Sequence, residues 1–246
     1  MIRERRPAGA TRRIGPGGSF VGFACAVLAL LIWSGWFAVT RISVTRTLGP
    51  GDIVAFRLVG GALALLPPFL PQIGAIPRRS WADGAAMSLL WGAPFALLVA
   101  LGVQLTSAAH AAPLTPATML VFAGMIAWAA FGEFPGRQRL LGFTVIAAGV
   151  VMLNRSFADH GGATARAGDA ALLGGAVMWD TYTIRLRRSG MKTVQAAAMV
   201  CLYSLVIYVP CYALSGVQKL TAAPLPEILL QFVYQGAGRR GCTAGL

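Results

Sequence analysis

The sequence predicts an all-α integral membrane protein. Three features predict it: too few charges to coat a soluble globule, uncharged runs long enough to cross a bilayer, and a pattern in the first half that returns in the second. Of the 246 residues, 57% are apolar and only 12% charged, with a mean hydropathy of +0.68. An ordinary soluble domain carries about 25% charged residues because its surface faces water. The partner that suits most of this surface is a lipid bilayer. The formal charge of +13 does not mark a nucleic-acid partner. The Lys and Arg side chains sit in short segments between uncharged runs, with no continuous basic face and no binding motif.

A helix crossing the hydrocarbon needs about 20 residues. Phe20–Thr40 supplies the first span without a charge, after a basic tail (residues 1–19) holding Arg3, Arg5, Arg6, Arg12 and Arg13. That stretch is longer than the apolar region of a cleaved signal peptide, so an uncleaved first span with a disordered cytoplasmic tail is expected. The second span, Ile53–Leu70, carries one charge, Arg57, and ends in Pro67, Pro68 and Pro71. From Gly84 to Gly132 no residue is charged, a run too long for one crossing. Gln104-Leu105-Thr106-Ser107, with His110 just after, divides it into spans three and four. Leu140–Asn154 is a fifth, Ala170–Arg185 a sixth interrupted by Asp180, and Thr193–Ser215 a seventh. Ile228–Gly238 begins an eighth, too short to cross. Backbone donors in hydrocarbon are satisfied only within helices or closed barrels, and continuous apolarity in place of alternation selects helices.

Orientation follows from the basic residues outside the spans. With the N-terminus inside, thirteen Lys and Arg lie on the cytoplasmic side and five opposite. The positive-inside bias puts the N-terminus in the cytoplasm, and the expected location is the inner (plasma) membrane. The four cysteines carry little weight. Cys201 and Cys211 on one helix would be about 15 Å apart along its axis, too far to bond.

Ile32-Trp33-Ser34-Gly35-Trp36-Phe37 in the first span aligns with Met178-Trp179-Asp180-Thr181-Tyr182-Thr183 in the sixth. In both, a Trp is followed three residues later by an aromatic and eight later by an arginine, Arg41 or Arg187. A repeat of five helices, an odd number, must enter the membrane the second time from the opposite side. Two inverted halves frame a site near the midplane that either packing can expose to one face.

Trp33-Ser34-Gly35-Trp36-Phe37, Ala55-Phe56-Arg57-Leu58, Leu114-Thr115-Pro116, Gly132-Glu133 and Leu140-Leu141-Gly142 leading to Ala148-Gly149-Val150 together resemble, in order and spacing, the EamA-type proteins of the drug/metabolite transporter superfamily. The resemblance covers one five-helix unit at 20–154 and the start of a second at 170–246, joined by an external linker at 155–169. It implies ten-helix inverted-repeat exporters of metabolites, amino acids or drugs, with both termini cytoplasmic. The second unit is incomplete here, and the tail Gly238–Leu246 has no counterpart, which points to a truncated or frameshifted reading frame.

A charge inside a bilayer costs about 2.5–3.5 kcal/mol on insertion scales, so each needs a reason. Arg57 either faces the path and attracts an anionic group or snorkels to the outer interface. Asp180 either pairs with Arg57, binds a cation or exchanges a proton, or is solvated by a water-filled cavity. Glu133 is a coupling carboxylate or an interfacial partner of Arg137 and Arg139. His110 is a pH sensor or a partly solvated interfacial histidine. Pro116 removes a helix hydrogen bond and bends the fourth span, as a hinge or a tolerated kink. Trp33, Trp36, Trp179 and Tyr182 line the path or serve as interfacial or packing residues.

The sequence holds no phosphate-binding G-x-x-x-x-G-K-[ST] loop, no H-E-x-x-H, no G-x-S-x-G and no C-x-x-C. Neither a cofactor nor an enzymatic activity is expected. Secondary transport of a small molecule is therefore the leading expectation. The rivals are a shortened, non-transporting membrane protein, with a homodimer formed through the faces left free, and an integral-membrane enzyme.

Overall fold

The computed structural model describes residues 16–132, 134, 136–215 and 223–232. Every element among them is helical: α1 (Pro16–Arg46), α2 (Pro50–Phe69) running into a 3₁₀ segment (Leu70–Ala75), α3 (Arg78–Trp91), α4 (Ala93–Leu105), α5 (Ala108–Phe131), α6 (Arg137–Ser189) and α7 (Thr193–Ser215). A further helical stretch covers 225–232. The part of α1 before Trp36 is a unit of its own, in which Phe23, Leu28 and Leu31 are exposed.

Among the described residues, four helical stretches are long and apolar enough to cross a membrane: Pro50–Ala75, Arg78–Leu105, Ala109–Ala129 and Thr193–Leu214. They fall on the second, third, fourth and seventh spans read from the sequence. The first lies within α1, and the fifth and sixth lie in the two parts of α6. Exposed Leu63, Leu120, Leu141, Val145, Met152, Val206 and Ile207 give these helices the apolar outer surface that lipid requires.

Local chemistry sets where the helices begin and end. Gly49-Pro50-Gly51-Asp52 starts α2: Pro50 occupies the first turn, where no amide partner is lost, and Asp52 Oδ2 accepts the Gly49 N–H at 2.6 Å. The polar interruption at Gln104–Ser107 is the α4–α5 turn, and Ser107 Oγ accepts the His110 N–H at 3.2 Å. Gly132 and Gly190 end α5 and α6 with φ of 68° and 66°, the left-handed region that favours glycine.

Two features depart from the sequence reading. The third span is one crossing made of two helices, α3 and α4, broken at Gly92 next to Pro94. Over 155–169, where a linker is expected, the backbone is helical except at Gly162 (φ 57°, ψ −151°). The alanines there favour helix, so the chain turns only where a glycine allows it.

Helix α6 packs on α5, α4 and α3, and α7 on α2 and α3. Glycines permit the closest approaches. A Cβ on Gly102 would lie 2.8 Å from Leu172 and 3.0 Å from the Gly168 carbonyl. One on Gly92 would lie 2.0 Å from Ser204 Oγ and 2.2 Å from the Ser88 carbonyl. Gly92→Ala is expected to lower stability by about 1–3 kcal/mol through overpacking. Gly149→Ala, whose Cβ meets nothing within 4 Å, should be neutral or slightly stabilising. Thermal unfolding of the detergent-solubilised variants checks the difference.

Candidate translocation site

Several of the candidate residues meet in a cluster of aromatic rings around one arginine. The Arg57 guanidinium carbon, on α2, lies 5.6 Å from the Trp91 ring centroid and 5.4 Å from that of Phe95. Trp91 stacks on Tyr182 at 4.8 Å and meets Trp179 edge-on at 5.3 Å. Phe95 lies 6.0 Å from Trp179. Four elements (α2, α3, α4 and α6) therefore converge on one cation–π assembly, and the Gly92 break sets Trp91 and Phe95 on either side of the bend. A guanidinium over rings is held by their negative faces, worth about 0.5–2 kcal/mol according to desolvation.

The other candidates from the sequence distribute around this centre. Trp36 and Trp179 pack on the same buried cluster of Phe37, Phe95, Val99, Val103, Leu114 and Leu172, as does Trp91, which the sequence did not single out. Asp180 is 4% exposed, and its Oδ2 is enclosed without a hydrogen bond. It forms no ion pair with Arg57. Pro116 lies inside α5 and is not among the residues of the aromatic cluster. On that helix Thr115 and Thr118 hydroxyls donate back to the carbonyls of Ala111 and Leu114, at 3.0 and 2.8 Å. The Trp33 side chain and Glu133 lie outside the described residues.

His110 is not the partly solvated interfacial histidine expected. It is 1% exposed, and its Nε2 lies 2.9 Å from Asp169 Oδ1. The capped first turn of α5 and the close α4–α6 contact at Gly168 bring the two together in the interior. No sequence spacing signals this pair, because the partners are 59 positions apart on different helices.

A second group that sequence reasoning misses joins the start of α2 to the end of α7. Asp52 Oδ1 accepts the Tyr212 hydroxyl, and Tyr208 donates to the Gly51 carbonyl at 2.9 Å. The two tyrosine rings stack at 5.8 Å. Their i, i+4 spacing on one helix face is the only sequence signal. Nearby, Thr47 donates to Glu227 at 2.6 Å, and the Gln231 amide donates to the Val39 carbonyl at 3.1 Å and to Ser43 Oγ at 2.9 Å. Arg41 donates to the last carbonyls of α4, Val103 at 2.7 Å and Gln104, where a cation complements the helix dipole.

At the opposite end Arg185 meets Asp83 at 3.2 Å, and Tyr203 donates to the Trp81 carbonyl at 3.1 Å. Being half exposed, the ion pair contributes at most about 1 kcal/mol. Among the described residues no three His, Cys, Asp or Glu side chains converge as metal ligands.

Asp169→Leu removes the ion partner of His110 Nε2 and is expected to cost about 1–3 kcal/mol. Replacing both members together (His110→Leu with Asp169→Leu) should recover part of that loss. A double-mutant cycle on thermal stability measures the coupling.

No curated protein and no solved structure matches the chain. The sequence profile of the EamA-like transporter family matches residues 20–155, more than half of the chain. Its ordered motifs, its membrane-crossing helices and the aromatic centre they enclose accompany that match, and the chain belongs to the EamA-like transporter family.

Proposed function

We propose that this multi-pass membrane protein is a secondary transporter that moves small metabolites, amino acids or drugs outward across the plasma membrane by alternating access. In this reading its N-terminus is cytoplasmic and it catalyses no covalent chemistry. The observation that carries the reading is the Arg57–Trp91–Phe95–Trp179–Tyr182 assembly, in a chain of a transporter family.

Such a centre suits a small amphipathic solute. The rings offer apolar faces, while the guanidinium offers donors for a carboxylate or another anionic group. Arg57 rests on rings that tolerate its charge, so a solute that displaces a ring contact can replace it with an ionic one. The assembly joins helices of the first five-helix unit to the sixth span, which opens the second. A solute bound there touches both halves, as a midplane site between inverted repeats requires.

Counterflow in proteoliposomes with a panel of amino acids and amphipathic metabolites tests the proposal. At least one solute should exchange above the rate of empty liposomes. Arg57→Gln should lower that rate about tenfold, the equivalent of about 1.4 kcal/mol, with Arg57→Lys falling between. Exchange that is indifferent to Arg57→Gln would remove the site from the path, and a panel without exchange would count against transport of these classes.

A further inference from the structure

We propose that the Asp52–Tyr212–Tyr208 group is the gate at the non-cytoplasmic end of the path, a polar latch between the two repeat units that breaks whenever that end opens. The inference rests on the alternating-access reading above and assigns residues to it.

Helix α2 belongs to the first unit and α7 to the second, and they pack antiparallel along their lengths. Near the end of α2 and the start of α7, Leu65 and Phe69 pack with Ala197, Ala198 and Cys201. Further along, Val54 and Leu58 pack with Leu205 and Tyr208. These contacts are apolar, and in a bilayer lipid tails compete with them on nearly equal terms. At the last turn the chemistry changes. The Tyr212 hydroxyl donates to Asp52, and the Tyr208 hydroxyl donates to the Gly51 carbonyl. Gly51 lets the rings close on the backbone, since a Cβ there would lie 3.2 Å from Tyr208 Oη and 3.4 Å from Tyr212.

Each half of the latch also has the means to move. On α7, Pro210 lies between Tyr208 and Tyr212. It has no N–H for the Val206 carbonyl, so the turn bearing Tyr212 can bend away from the rest of the helix. On α2, the second oxygen of Asp52 caps the Gly49 N–H, and that bond lies within α2's own first turn. Releasing Tyr212 therefore leaves α2 capped and intact. Asp52 precedes Arg57 by five residues, about 7.5 Å along the axis, so the latch closes the path just outside the aromatic centre.

The test uses the full chain with Cys25, Cys201, Cys211 and Cys242 replaced by alanine and a reporter cysteine at Val54, which is fully buried beneath the latch. A membrane-impermeant maleimide added from the non-cytoplasmic side should label the parent slowly. It should label Tyr212→Phe about tenfold faster, as loss of one hydrogen bond to a carboxylate implies. Tyr208→Phe should act in the same direction. A second reporter at Ala197, at the other end of the same interface, should keep its rate when probed from the cytoplasm.

Unchanged labelling of Val54→Cys in Tyr212→Phe overturns the gate. So does an equal rise at both reporters, which would assign the bond to holding the fold together. Because labelling needs no substrate, flat labelling beside intact transport defeats the gate alone. Faster labelling without transport of any solute supports the gate and defeats only the transporter reading.

Discussion

Within hydrocarbon no backbone N–H or C=O finds water, and each group left without a partner costs several kcal/mol. That constraint organises the whole chain. It makes the apolar runs helical and forces every helix end or break to be settled by a neighbour. Asp52 caps α2, Ser107 caps α5, and Arg41 reaches across to the terminal carbonyls of α4. In the last case one side chain satisfies a helix end and ties two helices together. Asp52 does the same with its two oxygens, one turned to its own first turn and the other to Tyr212.

The interior polar groups follow from the same economy of partners. His110 and Asp169 are buried together, and Arg57 is carried by aromatic faces in place of water. Asp180 Oδ2, like Thr40 Oγ1 and Ser204 Oγ, is enclosed and unbonded, and such burial costs stability. Apolar packing between helices adds little preference over lipid, so the polar contacts bear most of the specificity of how the helices of the described part meet.

Much of this was legible in the sequence. Long apolar runs with at most one charge located α2, the α3–α4 crossing, α5 and α7, because insertion is governed by length and charge. The Gln104–Ser107 interruption marked the α4–α5 turn. The Trp179 and Tyr182 pattern led to residues that the fold does bring together. What was not legible depends on register between distant segments. Gly92 is an ordinary glycine until Ser204 is seen lying against it. His110 gives no sign in sequence that Asp169 will seal it inside. Trp91 and Phe95 are unremarkable in an apolar run, and only the bend at Gly92 turns both onto Arg57. The helical course through 155–169 was not read from the sequence, in which that segment was only an external linker between the two units of the resemblance.

The central claim is that these helices cross a membrane in an odd-numbered first unit, so that the next unit is inverted. Single cysteines at Ala8, before the first span, and at Thr164, after the fifth, test it directly in intact cells with an impermeant thiol reagent and the native cysteines removed. The account predicts that Thr164→Cys is labelled from outside and Ala8→Cys only after the membrane is permeabilised. Labelling of both from the same side would contradict it.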